Sequence, residues 1–164
     1  MIRKIIREQV HHLPRQYYCG KICATFTVCV QHKQTLFARD TVVAEFLSIL
    51  DWARKRNGCV VLLYCFMPDH LHLIVQGQND QADLYKTILD FKYKAGLYLS
   101  QSHALHRLQK NFYDHIIRGE NELASHLTYV AENPIRRGLV SRWQDYLFTG
   151  SLGINFLFII DAML

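Results

Sequence analysis

The stretch Cys59-Val60-Val61-Leu62-Leu63-Tyr64-Cys65-Phe66-Met67 followed by Pro68-Asp69 and then His70-Leu71-His72-Leu73-Ile74-Val75-Gln76 decides the reading of the fold. Its first nine residues are apolar without interruption, as in a central strand covered on both faces. Pro68-Asp69 is a turn signal, and the run from Leu71 to Gln76 supplies a second strand, so the whole predicts a hairpin. Upstream, Ile22 to Val30 is rich in β-branched and aromatic residues and reads as a first strand. Between these strands, Val42, Val43, Phe46, Leu47, Leu50 and Ala53 recur at helical spacing over Thr41 to Asn57. Arg54-Lys55-Arg56 and Asn57-Gly58 then end that helix. Downstream, Leu84, Ile88, Phe91, Ala95 and Leu99 mark a second helix over Ala82 to Ser100. Phe112 to Arg118 reads as a fourth strand, and Glu120 to Glu132 as a third helix. The order β-α-β-β-α-β with an added C-terminal helix predicts a ferredoxin-like α+β fold with an antiparallel sheet.

The chain has 164 residues, enough for one domain with a single well-buried core. Half of it is hydrophobic and a fifth charged, with eight Gly and three Pro, which excludes disorder and fibrous repeats. The longest apolar runs, Cys59 to Met67 and Ile154 to Ile160, fall short of the roughly 20 residues that span a bilayer. Charges scattered through Met1 to Val10 argue against a signal peptide, so a cytoplasmic location is expected. Five cysteines are an odd number, most of them lie in strand-like stretches, and a disulfide framework is not expected. The pair Cys19 and Cys23 lacks the further ligands of a zinc site. Nineteen Lys and Arg against fourteen Asp and Glu give a net charge of +5, which suits a polyanionic partner.

Two constellations carry chemistry. His70 and His72 are two apart on a strand, so both imidazoles project from one face while Leu71 and Leu73 point into the core. Such a pair is half a metal site, although a bare His-x-His also suits a solvated sheet face. Tyr129 and Asn133 are four apart and share a helix face, with Asn133 at the helix end because Pro134 disfavours a helical residue before it. Taken alone, that spacing is the ordinary one of a Tyr packed at a helix edge with Asn133 as a C-terminal cap.

Taken together, three motifs resemble the single-tyrosine HUH (His-hydrophobic-His) transposases of the insertion-sequence-200 type, and more closely the REP-associated tyrosine transposases. They are Met67 to His72, Phe112 to Arg118, and Tyr129-Val130-Ala131-Glu132-Asn133-Pro134-Ile135-Arg136-Arg137-Gly138-Leu139-Val140. They stand in family order, and the resemblance covers about Tyr17 to Gly150. Asp69 departs from the usual Asn, Arg137 from the usual small residue, and Ile154 to Leu164 matches nothing in the pattern. The resemblance implies cleavage and joining of single-stranded or hairpin DNA, with Tyr129 as nucleophile forming a 5′-phosphotyrosine link. It also implies a divalent metal, Mg²⁺ or Mn²⁺ with Zn²⁺ as a further option, held by His70, His72 and Asn133, and a monomer or homodimer. A free phenol titrates near about 10, so the nucleophile needs help from its surroundings.

Lys92, Lys94, Arg118, Arg136, Arg137 and Arg142 are the cations expected to meet phosphates, with Tyr85, Tyr93 and Tyr98 interleaved as stacking platforms. Asp69, Asp114 and Glu132 are expected to support the metal, and His103, His106, His115 and His126 read as surface or outer residues. On periodicity alone Tyr93 rivals Tyr129. The contrasting expectation is a catalytically silent hairpin-binding protein, and a small metallohydrolase would need a general base near the histidines that the sequence does not offer.

Overall fold

A computed structural model describes residues 12–161. The charged start Met1 to Val10, and with it the expectation of no signal peptide, lies outside them. Five strands, β1 (Cys23–Cys29), β2 (Cys59–Met67), β3 (His70–Gly77), β4 (Tyr113–Ile117) and β5 (Thr149–Leu152), form one sheet in the order β4-β1-β3-β2-β5. Every neighbouring pair is antiparallel. The first four strands thus have the order of the predicted β-α-β-β-α-β plan, and β5 extends it beside β2.

Two cores lie on the two faces. Helices α1 (Asp40–Arg56) and α2 (Leu84–Ser102) cover one face, where Phe26, Phe46, Phe66, Phe91, Leu71, Leu73 and Val75 are buried together. Phe46 meets Phe37 at 5.0 Å between ring centroids and Phe91 at 5.9 Å, both edge-on. Such pairs contribute about 0.5–1.5 kcal/mol each beyond the area they bury. Helix α3 (Glu120–Ala131) covers the other face with Leu127 and Val130, packing on Leu62, Cys65, Met67 and Ile74. The period of two along β3 therefore sends Leu71, Leu73 and Val75 to one core and leaves His70, His72 and Ile74 on the α3 side. The unbroken apolar run of β2 is explained by burial on both faces, as expected.

Differences from the sequence reading are local. Helix α2 begins at Leu84, because Asp83 caps it by accepting from the Lys86 backbone N–H at 2.8 Å. Beyond α3 the chain makes a short helix α4 (Asn133–Arg136), then β5, then α5 (Phe156–Asp161), so the described part of the apolar tail folds back on the second core through Ile159. No described helix is long and apolar enough to cross a membrane. All five cysteines are free, as expected.

One close approach fixes the far end of the hairpin. A Cβ built at Gly77 would lie 2.0 Å from the Gly20 carbonyl oxygen and 2.8 Å from the Ala82 Cβ. Gly77→Ala must therefore push backbone aside, at a cost of about 1–3 kcal/mol. A lower denaturant midpoint at unchanged slope is expected, and an unchanged midpoint would show that the approach is looser than this.

Candidate active site

On β3 the two imidazoles stand side by side, with ring centroids 4.7 Å apart and planes at 88°. Their Nε2 atoms face each other at 3.1 Å. Each ring is held from behind. His70 Nδ1 lies 2.7 Å from Asp69 Oδ1, and His72 Nδ1 lies 3.0 Å from the hydroxyl of Thr27, its cross-strand neighbour on β1. An ionised carboxylate only accepts, so His70 carries its proton on Nδ1 and presents a lone pair at Nε2 when neutral. Burial pushes the His72 pKa down to about 4, helped by the charges of His70 and Arg136, which keeps this ring neutral near pH 7. Adjacent ligands of a six-coordinate Mg²⁺-sized ion, with bonds of roughly 2.1 Å, sit about 3 Å apart. The spacing of the pair fits an ion of that size, provided that oxygen ligands and waters complete the shell around the two nitrogens, and the partners behind the rings are the kind that orient ligating histidines.

An unfolded imidazole titrates near 6.5, so between about 4 and 6.5 the unfolded state takes up the proton that folded His72 refuses. Stability therefore rises with pH through that window and falls on acidification. His72→Gln is expected to flatten this part of the pH–stability curve measured without metal, and identical acid slopes for variant and wild type would refute the assignment.

Asp69 is gripped from a second side. Arg137 Nη2 lies 3.1 Å and 3.3 Å from its two carboxylate oxygens. Burial alone would raise the Asp69 pKa, but the hydrogen bond and charge of His70 and the charge of Arg137 outweigh it and hold the carboxyl below its ordinary range. The two positions that depart from the family pattern thus meet each other, tying the turn before the histidines to the segment after the tyrosine.

Tyr129 stands on α3 and opens into a cleft of about 460 Å³ lined also by Thr25, Thr27, His72, Ser125, His126 and Val130. Its side chain is 56% exposed. The Arg136 guanidinium lies over its ring, 4.2 Å from the centroid, and Arg136 Nη2 also donates to the Tyr129 carbonyl. Asn133 is buried and donates from Nδ2 to the same carbonyl at 3.3 Å; among the described residues its Oδ1 makes no hydrogen bond. It does not simply end a helix. The chain breaks at Glu132 and restarts as α4 with Pro134 in the first turn, where a missing N–H costs nothing.

The structure thus joins His70 to His72, His72 to Tyr129 through the cleft, and Asn133 and Arg136 to Tyr129. Other expected residues go elsewhere. Lys92 donates to the carbonyls of Gln109, Lys110 and Asn111 at 2.6, 3.0 and 3.3 Å, and burial lowers its pKa to about 8. Lys94 lies over the Trp52 ring at 4.3 Å. Both belong to α2, on the opposite face of the sheet from the cleft. Asp114, expected to support a metal, instead accepts from Tyr18 and pairs with His12, pinning the start of the described chain. Glu132 pairs with Arg136 at 3.5 Å, and Arg142 with Asp145 at 3.7 Å. Arg118 is exposed. Tyr85 packs against Tyr18 and Phe112, and Tyr98 bonds His103, whereas Tyr93 is 72% exposed. Tyr113, read from the sequence only as part of the fourth strand and its motif, is exposed and sits in register beside Thr27 at the cleft edge.

The profile of the family described as "Transposase IS200 like" matches residues 19–133, from before β1 to Asn133. The chain belongs to the IS200-like transposase family. As a transposase of this family it is an enzyme of DNA strand cleavage and transfer. A Haemophilus influenzae protein described as a candidate REP-associated tyrosine transposase is 24% identical over 135 residues, which is 76% of each chain. Among solved structures, a REP-associated tyrosine transposase bound to a REP hairpin is similar with a TM-score of 0.71 and 19% identity, covering 84% of this chain and 81% of that one. A Deinococcus radiodurans structure, described as a candidate transposase, is similar with a TM-score of 0.51 and 15% identity, covering 76% of this chain and 95% of that one. These likenesses establish that the transposase shares their fold.

Proposed function

We propose that this transposase cuts and rejoins single-stranded DNA at hairpins, with Tyr129 as nucleophile. The observation that carries the reading is that Tyr129 and His72 line one cleft while the Nε2 atoms of His70 and His72 face each other at 3.1 Å. The Tyr129 oxygen attacks phosphorus in line, forming a 5′-phosphotyrosine bond as the bond to the 3′-oxygen breaks and that oxygen leaves as a hydroxyl. Rejoining reverses these steps with a 3′-hydroxyl as attacker, so the phosphoester energy is kept and no ATP is consumed. Arg136 over the ring supplies positive charge beside the developing phenolate. His70, His72 and the Asn133 Oδ1 are the groups that would hold Mg²⁺ or Mn²⁺. When bound there, the ion acts as a Lewis acid on the phosphate and offsets charge growing in the transition state.

Arg136 lies over Tyr129 and Arg137 beside Asp69, and together with the exposed Arg118 and Arg142 they would provide cations for the phosphates. A similar solved transposase holds a REP hairpin, which supports hairpin DNA as the substrate class here. Incubating the full chain with a labelled hairpin oligonucleotide and Mn²⁺, then separating on a denaturing gel, should show a covalent protein–DNA adduct. Hairpin binding in a native gel with no adduct under any divalent metal would instead favour the silent binding protein.

A further inference from the structure

Beside the cleft, His115, Glu122 and His126 form a second cluster that this mechanism leaves unused. His115 lies on β4 in register with Thr25, a cleft residue, so it faces α3. Glu122 and His126 are four apart on α3 and share its face. His115 Nε2 is 2.6 Å from Glu122 Oε1, and His126 Nε2 is 4.0 Å from the same oxygen. One ligand atom from each residue lies within 4.8 Å of the others, and among the described residues no other trio of His, Cys, Asp or Glu converges in this way.

A hydrogen bond accounts for the first contact and not for the second. His126 is too far from the carboxylate to bond it, yet its ring stacks on His115 at 5.3 Å with planes at 26°, which brings both imidazoles to the same oxygen. The other Glu122 oxygen accepts from the Arg118 backbone N–H, so the carboxylate is already oriented. The three side chains are 53%, 33% and 28% exposed, which leaves room for waters to complete a coordination shell.

We propose that His115, Glu122 and His126 form a second metal site, distinct from the His70–His72 pair, that takes a transition-metal ion of the Zn²⁺, Ni²⁺ or Co²⁺ class. Two imidazoles with one carboxylate suit such ions better than Mg²⁺, which favours oxygen ligands. The site joins the edge strand β4 to α3, and its consequence is mechanical: an ion there braces the helix that carries Tyr129. Because His126 also lines the cleft, the brace borders the catalytic cavity.

The test titrates Ni²⁺ into untagged full-length protein carrying His70→Ala and His72→Ala, followed by calorimetry and thermal unfolding, so that the outcome is independent of the catalytic pair. One Ni²⁺ per chain and a raised Tm are expected. Adding His115→Gln or His126→Gln should weaken binding by more than about tenfold, since even outer partners of a metal site are worth that much, and remove the gain in Tm. Absence of binding, or binding that survives both substitutions, would overturn the proposal. Should the double alanine protein not fold, the wild type serves, where His126→Gln is expected to lower the Ni²⁺ stoichiometry from two to one and an unchanged stoichiometry would refute the site.

Discussion

Tyr129→Phe is expected to form no covalent DNA adduct while keeping hairpin binding and a near-wild-type fold. The substitution removes one oxygen and preserves the ring that Arg136 covers. Tyr129 is more than half exposed and its hydroxyl has no hydrogen-bond partner among the described residues, so stability should move by less than about 0.5 kcal/mol. Covalent catalysis, by contrast, has no substitute for the missing nucleophile. Tyr93→Phe, altering an exposed residue on the opposite side of the sheet, should still give the adduct. Measured together by denaturing and native gels, the two variants separate the nucleophile from its rival, and an adduct from Tyr129→Phe would end the assignment.

His70→Ala and His72→Ala should each lower cleavage by about a thousandfold or more, since Lewis-acid stabilisation of the transition state is worth several kcal/mol. Hairpin affinity should change much less, because the phosphate contacts proposed for the arginines would act on the ground state. The division is checked by single-turnover cleavage rates beside equilibrium binding at one fixed salt concentration. Parallel losses in rate and affinity would mean that the histidines serve binding and not chemistry.

The parts of this molecule legible in sequence are those ruled by a period. Alternation along β3 put His70 and His72 on one face and Leu71 and Leu73 on the other, and 3.6-residue spacing located α1 and α2. Strand β5 was hidden because Thr149-Gly150-Ser151-Leu152 has neither length nor β-branched density, and Gly150 is there to admit Tyr64, whose hydroxyl would sit 2.6 Å from a Cβ. Charge was visible but its use was not. Lys92 looks like a free cation until three carbonyls of the loop before β4 are found around its ammonium. The contact of Arg136 with Tyr129 spans a helix break at Glu132, so no regular spacing announces it. Asp69 and Arg137 are 68 residues apart, and only the fold reveals that these two unusual residues satisfy each other. The cluster of His115, Glu122 and His126 is likewise split between a strand and a helix, beyond the reach of a local motif.

The nucleophile is identified most directly by mass spectrometry of the peptide that carries DNA after reaction with a hairpin oligonucleotide and Mn²⁺. The protein–DNA adduct is isolated, digested with nuclease and protease, and the residue bearing the nucleotide phosphate is read from fragment ions. A phosphodiester mass on Tyr129 is the predicted result; the same mass on Tyr93 or any other residue would show that Tyr129 is not the nucleophile.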